Sequence, residues 1–417
     1  MDTTAVDTAD LEKYLNQYGV WPRIFRALFI ARSHETFRSF CSQYAINQLK
    51  AHTYNLELYK STFTEFANDM PDQQYDLSWI DSVTYHRKQN LDHLTKELKS
   101  YKNNLIRESI RSAQVDLASF FTDLGQFESA LRAYAKVREY CTNAAQIAHL
   151  SLDLMRVSIW MENYSHVLAF GSRAKSTFSS AMEIKSTVYA YCGLAHMCLG
   201  DYKSALDHFL HIEPDFSDIL LTKTDVSTYT CICALVSWDH NELLQQLNED
   251  EIFNALSDLN PSLRKCMHFM SQRNYSSLFN TLQANFPEYA FDMYLAPHLS
   301  TFLSLIRERS LVDYLFPYSA IPMKKIASDF QVDLPFVEDF LLQMVEAQKI
   351  NAKLDCLNKC VYMESSFERE RFQEIQDIAE NTHIYSKAIH LQTTNTFNKS
   401  IADESSTNTY YPPVDQN

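Results

Sequence analysis

The sequence predicts a mainly α-helical fold: a TPR-like helical-repeat solenoid followed by a winged helix and a C-terminal helix. Three observations lead there. Glycine occurs only 5 times in 417 residues, a repeat of 37–38 residues runs through the middle, and helical spacing gives way to period-two alternation near residue 350. Glycine supplies the turns of sheet-rich folds and the close backbone approach of phosphate loops. A chain this poor in it reads as helix after helix. Gly19, Gly125, Gly171, Gly193 and Gly200 fit neither the Rossmann nor the P-loop spacing, which removes most nucleotide-binding enzymes.

Taken in order, residues 1–100 form an N-terminal helical region with a break at Met70–Asp76. The opening MDTTAVDTADLEKY is acidic and lacks an apolar core, so no signal peptide is expected. The apolar run Val20–Ile30 is interrupted by Pro22, Arg23 and Arg26 and is too short to span a bilayer. Residues 101–295 carry the repeats LGQFESALRAY (124–134), WMENYSHVLAF (160–170) and LGDYKSALDHF (199–209), anchored by Phe127, Tyr164 and Tyr202. WDHNELLQQL (238–247) and RNYSSLFNTL (273–282) are weaker copies. Within the first unit, Leu117, Phe120, Phe121 and Leu124 fall on one helical face, and Gly125 suits the left-handed cap that ends it. Phe127, Ala130, Leu131 and Tyr134 then restart the spacing, and Gly200 plays the same part before Tyr202. Each hairpin leaves an apolar edge that only the next can cover, which is a solenoid. Pro214 and Pro261 are placed at turns.

Residues 296–365 change pattern. A helix over 297–315 precedes a short one with Met323, Ile326, Ala327 and Phe330. Asp333 then suits an N-cap and Pro335 a first turn, ahead of a helix with Val337, Leu341, Met344 and Val345. Ile350, Ala352 and Leu354 alternate with polar neighbours, and Val361 and Met363 alternate again, as a β-hairpin does. Residues 366–390 read as a charged C-terminal helix with a stripe of Phe372, Ile375, Ala379 and Ile389, and 391–417 as a disordered polar tail.

Chemistry is sparse. His208, His211 and Glu213 lie close in sequence, but no further ligand is implied and hairpin packing accounts for them. Neither H-x-H, H-E-x-x-H, G-x-S-x-G nor C-x-x-C occurs, and the nine cysteines read as small core residues in a reduced compartment. Net charge is −15, and the second helix of the helix-turn-helix carries Glu338, Asp339 and Glu346 against Lys349. Phosphate would repel it, so DNA reading is not expected. The aromatic stripe of Phe120, Phe121, Phe127, Tyr134, Tyr164, Tyr202 and Phe209 reads as hairpin core rather than peptide groove.

A solenoid capped by a winged helix resembles the PCI-domain family. ESIRSAQVDLASFFTDLGQFESALRAYAKVREYCT (108–142), VSIWMENYSHVLAFGSRAKS (157–176), FDMYLAPHLSTFLSLIRERSLVDYLFPY (291–318) and IPMKKIASDFQVDLPFVEDFLLQMVEAQKINAKLD (321–355) resemble the family of the first COP-nine signalosome subunit. REYCT, YSHVL and DMYLAPH look more like it than like its proteasome-lid counterpart. The resemblance implies a non-catalytic scaffold in a complex that removes a ubiquitin-like modifier from cullins, with a zinc isopeptidase in another subunit. It implies other PCI subunits as partners, cullin-RING ubiquitin ligases indirectly, and residence in nucleus and cytoplasm. Catalytic residue, cofactor, metal, nucleic acid and membrane are not expected. The docking edge is expected at Ile350, Ala352, Leu354, Val361 and Met363, and the bundle helix at Phe372, Ile375, Ala379 and Ile389. Two alternatives stay open: a proteasome-lid regulatory subunit, and a free-standing helical-repeat adaptor that binds peptide.

Overall fold

The computed structural model describes residues 8–69, 75–176, 184–213, 216–363, 375–376 and 378–395. Pro214, Phe372 and most of the expected break at 70–76 lie outside the described residues. The chain divides at Asp313/Tyr314 into two compact units. The sequence reading began the winged-helix part earlier, at residue 296.

In the first unit, α1 (Thr8–Asn16), α2 (Val20–Ser33), α3 (Arg38–His52) and α4 (Leu56–Glu65) precede the long α5 (Leu77–Asn104). Hairpins follow: α6 (Arg107–Asp123) with α7 (Phe127–Val137), α8 (Ala144–Trp160) with α9 (Tyr164–Lys175), and α10 (Lys185–Cys198) with α11 (Tyr202–Phe209). Then come α12 (Lys223–Ser237), α13 (His240–Glu249), α14 (Glu251–Ser257), α15 (Pro261–Ser271) and α16 (Tyr275–Tyr289). The helix α17 (Leu299–Leu315) carries the division between the units.

One turn recurs at four hairpins. Gly125, Glu162, Gly200 and Arg273 all take left-handed backbone, at φ 73, 57, 84 and 57°. The next residue's N–H then reaches back: Gln126 to the Phe121 carbonyl, Asn163 to Ser158, Asp201 to His196 and Asn274 to Phe269, at 2.8–3.0 Å. That closes the carbonyls a helix end leaves open. Asn163, Asp201 and Asn274 cap the following helix by accepting from the N–H groups of His166, Ser204 and Ser277. An aromatic anchor opens it in every case. Trp238 breaks the pattern: it stays extended and packs on Phe253, while Asp239 and Glu242 form a capping box.

Sequence reasoning missed what α2 does. Its interrupted apolar run is buried because it lies across several hairpins. Trp21 meets Phe127 edge-on at 5.2 Å and Trp160 at 6.3 Å. Just ahead of it, the Gly19 N–H donates to the Ile219 carbonyl at 2.7 Å. Just after it, His34 stacks on Phe291 at 4.4 Å. The N-terminal helices thus share a core of their own and also pack on the hairpins through α2.

The second unit holds β1 (Ala320–Pro322), α18 (Met323–Phe330), α19 (Leu334–Glu346), β2 (Ala352–Asp355) and β3 (Cys360–Met363). Met323, Ile326, Phe330, Val337, Leu341 and Met344 bury as their spacing requires. Asp333 occupies the N-cap position in extended backbone without a side-chain bond. The sheet has three strands in the order β1-β3-β2, all antiparallel. A last helix, α20, covers 378–395, with 375–376 also helical. It therefore runs through 391–395, which the sequence reading gave to the tail; Thr393 and Thr394 bond back to the Ile389 and His390 carbonyls there.

Candidate functional site

The expected docking residues separate into two groups. Val361 sits on the central strand and is 0% exposed, and Ile350 is buried ahead of β2. Both belong to the winged-helix core, so the expectation that the whole hairpin offers an edge is corrected. β1, which sequence did not reveal, pairs with β3 on its other side through Ala320↔Tyr362, Ile321↔Val361 and Pro322↔Cys360. A strand paired on both flanks has no edge to give. Met363 also lies on β3, paired to Ala352. Among the described residues β2 keeps an unpaired flank, with Lys353 exposed and Ala352, Leu354 and Asp355 half-buried. β1 is the other flank, but Pro322 has no N–H to offer an added strand. Lys359, left-handed in the hairpin turn, ties it to α19 by a 2.7 Å ion pair with Glu338.

The C-terminal helix is exposed on every described residue. Ile375, Ile378, Tyr385 and Ile389 recur at helical spacing and are all solvent-exposed, and Ala379 adjoins them. Among the described residues this apolar stripe is left in water. Phe372 lies outside the described residues.

A buried charge cluster in the first unit was also missed. Arg26 is 0% exposed. Its Nη2 meets Asp225 at 3.3 Å and its Nη1 meets Asp292 at 3.2 Å. Tyr18 donates to Asp225, Tyr229 donates to Asp292 at 2.6 Å, and Arg26 Nη1 donates to the Tyr14 hydroxyl at 2.8 Å. The guanidinium lies 4.1 Å over the Tyr18 ring and 5.5 Å from that of Tyr294. Asp292 also accepts from the Tyr294 and Leu295 N–H groups. Burial drives the Tyr14, Tyr18 and Tyr294 hydroxyls far above their ordinary pKa, so they stay protonated. Every carboxylate oxygen of Asp225 and Asp292 has a partner. The arrangement locks α2 to α12 and to the segment after α16. The signal in sequence was an arginine, Arg26, set among apolar residues of a helix.

The histidines at 208 and 211 pack rather than converge. Each Nδ1 faces the carbonyl four residues back, Ser204 and Asp207, and His211 stacks on Tyr189 at 4.9 Å. The Glu213 N–H is bonded to Ser186. Burial holds the His208 pKa below its ordinary value. Among the described residues no group of three His, Cys, Asp or Glu could hold a metal ion, and no helix is long and apolar enough to cross a membrane. Cys41, Cys231 and Cys266 have thiols pushed up to about 12 by burial, leaving them protonated and unreactive.

Comparison with known proteins agrees with this geometry. A family profile described as 26S proteasome subunit RPN7 matches residues 76–246, and the PCI domain profile matches 282–365. COP9 signalosome complex subunit 1b of Drosophila melanogaster is 30% identical over 71% of this chain and 58% of its own length. Subunit 1 of Arabidopsis thaliana is 27% identical over 88% of this chain and 85% of its own. COP9 signalosome complex subunit 1 of Schizosaccharomyces pombe is 60% identical over 96% of this chain and 94% of its own. A likeness that runs from end to end, through both the repeats and the winged helix, leaves one conclusion: the chain belongs to the family of COP9 signalosome complex subunit 1.

Proposed function

We propose that this chain is a non-catalytic subunit of a COP9 signalosome, holding sibling PCI subunits so that another subunit can remove a ubiquitin-like modifier from cullins. The observation that carries the reading is the 60% identity over nearly the full length of a signalosome subunit 1. The position of β2 at the end of the sheet, among the described residues, and the exposed stripe of α20 support it, because both are surfaces that another chain of the same build can complete. Cullin-RING ligases are then met through the complex, in nucleus and cytoplasm. Neither α2 nor the charge cluster leaves the free groove that a peptide adaptor needs along Phe127, Trp160 and Asp225.

Native purification of the tagged chain tests this by mass spectrometry. Several PCI proteins and a zinc isopeptidase should co-purify; recovery of proteasome ATPases and lid instead overturns the assignment. Leu354→Asp places a carboxylate on β2 opposite Val361. It should cut recovery of PCI partners while the first unit keeps its unfolding midpoint. Normal recovery removes β2 from the interface.

A further inference from the structure

One end of the first hairpin breaks local rules without a packing reason. The last turn of α5, the first turn of α6 and the end of α7 meet there. Tyr101, Ile110 and Tyr140 pack in one cluster with Leu98 and Ala113, and Arg107 Nη2 donates to the Glu139 carbonyl at 3.1 Å. Lys99, Lys102, Arg107, Lys136 and Arg138 are all exposed at this end of a chain whose net charge is −15. Among the described residues no ion pair engages Lys99, Lys102, Lys136 or Arg138. Glu108 is engaged by Arg111 at 2.6 Å and by Gln146, and Glu139 is exposed.

Helix dipoles account for part of this. Cations in the last turns of α5 and α7, Lys102 and Lys136, face the negative helix ends. They do not account for Arg107, which opens α6 at its positive end. Nor do they account for the joint itself. Leu105 links the two helices in left-handed backbone at φ 54° and is 83% exposed, and Ile106 beside it is 52% exposed. Leucine loses twice there, by backbone strain and by apolar surface left in water, where glycine or asparagine would lose on neither count. Arg107 has the Glu139 carbonyl as a partner, but the exposed Leu105–Ile106 pair, beside lysines unpaired among the described residues, breaks local rules in a way that marks a place kept for something outside the fold.

We propose that this end of the first hairpin, Leu105 and Ile106 framed by Lys99, Lys102, Arg107 and Arg138, docks an acidic segment of a partner protein that also carries apolar side chains. The carboxylates pair with the ring of cations, and the apolar side chains cover the leucine–isoleucine pair. Nucleic acid suits the site less. Phosphate binding draws on a broad positive field, the chain as a whole carries a net charge of −15, and Leu105 and Ile106 give bases no aromatic platform.

Zero-length carbodiimide cross-linking joins lysine amines only to carboxylates in contact, so it reads this interface directly. It is applied to the full chain purified natively with its partners, and the links are mapped by mass spectrometry. Links from Lys99, Lys102 or Lys136 to Asp or Glu of another protein are expected. In Leu105→Gly they should fall by about fivefold or more, while links elsewhere persist and the thermal midpoint of the variant rises. That rise separates loss of docking from loss of fold. The proposal is overturned if these lysines link only within this chain, or if Leu105→Gly leaves their links intact. Protection of the same lysines from acetylation by a short single-stranded RNA, with no link to protein, also overturns it in favour of nucleic acid. Co-purification reports separately on the assembly role, so a preparation rich in partners with these lysines unlinked sinks this inference alone.

Discussion

Arg26 lies beneath tyrosine rings with a carboxylate on either side, and the value of that arrangement depends on how it is broken. Replacing the arginine alone leaves Asp225 and Asp292 buried without a counter-ion. Arg26→Met should therefore destabilise the first unit by about 3–5 kcal/mol. Neutralising the partners as well, with Asp225→Asn and Asp292→Asn, should return most of that loss. Urea unfolding of the single and triple variants measures both; equal midpoints for the two would show that packing, not charge, is what Arg26 supplies. A second residue works in the opposite sense. Burial raises the Asp123 carboxyl from 3.8 to about 6. Since its folded pKa lies above the unfolded one, the folded state holds the proton between those values, and stability falls as pH rises through that interval. The charged form also sits at the C-terminal end of α6, where the dipole disfavours it. Asp123→Asn should add about 1 kcal/mol near pH 7.5 once solvent screening at this part-exposed site is allowed for, and nothing below about pH 4. A gain that is the same at both pH values would rule out the carboxyl's ionisation as its source.

The four equivalent hairpin turns form a natural experiment, because two use glycine in the left-handed position and two do not. Glu162 and Arg273 hold φ 57° with a side chain attached. Glu162→Gly and Arg273→Gly should each stabilise by about 0.5–1 kcal/mol, the released strain being partly offset by glycine's unfolded-state entropy. The two glycines should differ from each other. A Cβ on Gly200 would meet nothing within 4 Å, so Gly200→Ala costs only the backbone strain, about 1 kcal/mol. A Cβ on Gly125 would overlap the Asn55 side-chain amide. Asn55 caps α4 by accepting from the Leu58 N–H at 3.0 Å, so Gly125→Ala should lose about 1 kcal/mol more through that cap. Thermal midpoints of the four variants order these effects. A Gly125→Ala no worse than Gly200→Ala would mean that Asn55 moves aside freely. Glycine is thus spent where two layers touch as well as where the backbone turns. Of those two demands, only the second can be read from one hairpin's sequence.

Across the whole molecule, what was legible in the sequence was what rests on neighbours along the chain. The repeat rhythm at Phe127, Tyr164 and Tyr202 and the helices at Met323–Phe330 and Leu334–Glu346 are set by spacing, and spacing is visible. The strand Ala320–Pro322 was not legible, since three residues cannot show alternation. For the same reason Val361 could be recognised as a strand residue but not as one lying mid-sheet. The docking of α2 was invisible because Arg26 meets Asp225 across 199 residues of chain. That long-range contact has a consequence for stability. In a solenoid each repeat touches only its neighbours, so losing a terminal repeat normally leaves the others folded. Here α2 spans from Phe127 and Trp160 to Asp225, and Arg26 on it reaches Asp292. Deleting residues 1–34 uncovers aromatic surface at one hairpin and strands two carboxylates at others. The remaining solenoid should then lose its single cooperative unfolding transition and become open to protease between α7 and α12. Deleting residues 375–417, by contrast, removes a helix whose described residues are all exposed, and should leave the first unit's midpoint unchanged. A chain lacking 1–34 that still unfolds in one sharp step at the full-length midpoint would show that α2 merely rests on the hairpins. A peptide of residues 1–34 that restores the sharp transition when added back would show instead that α2 holds them in one cooperative unit.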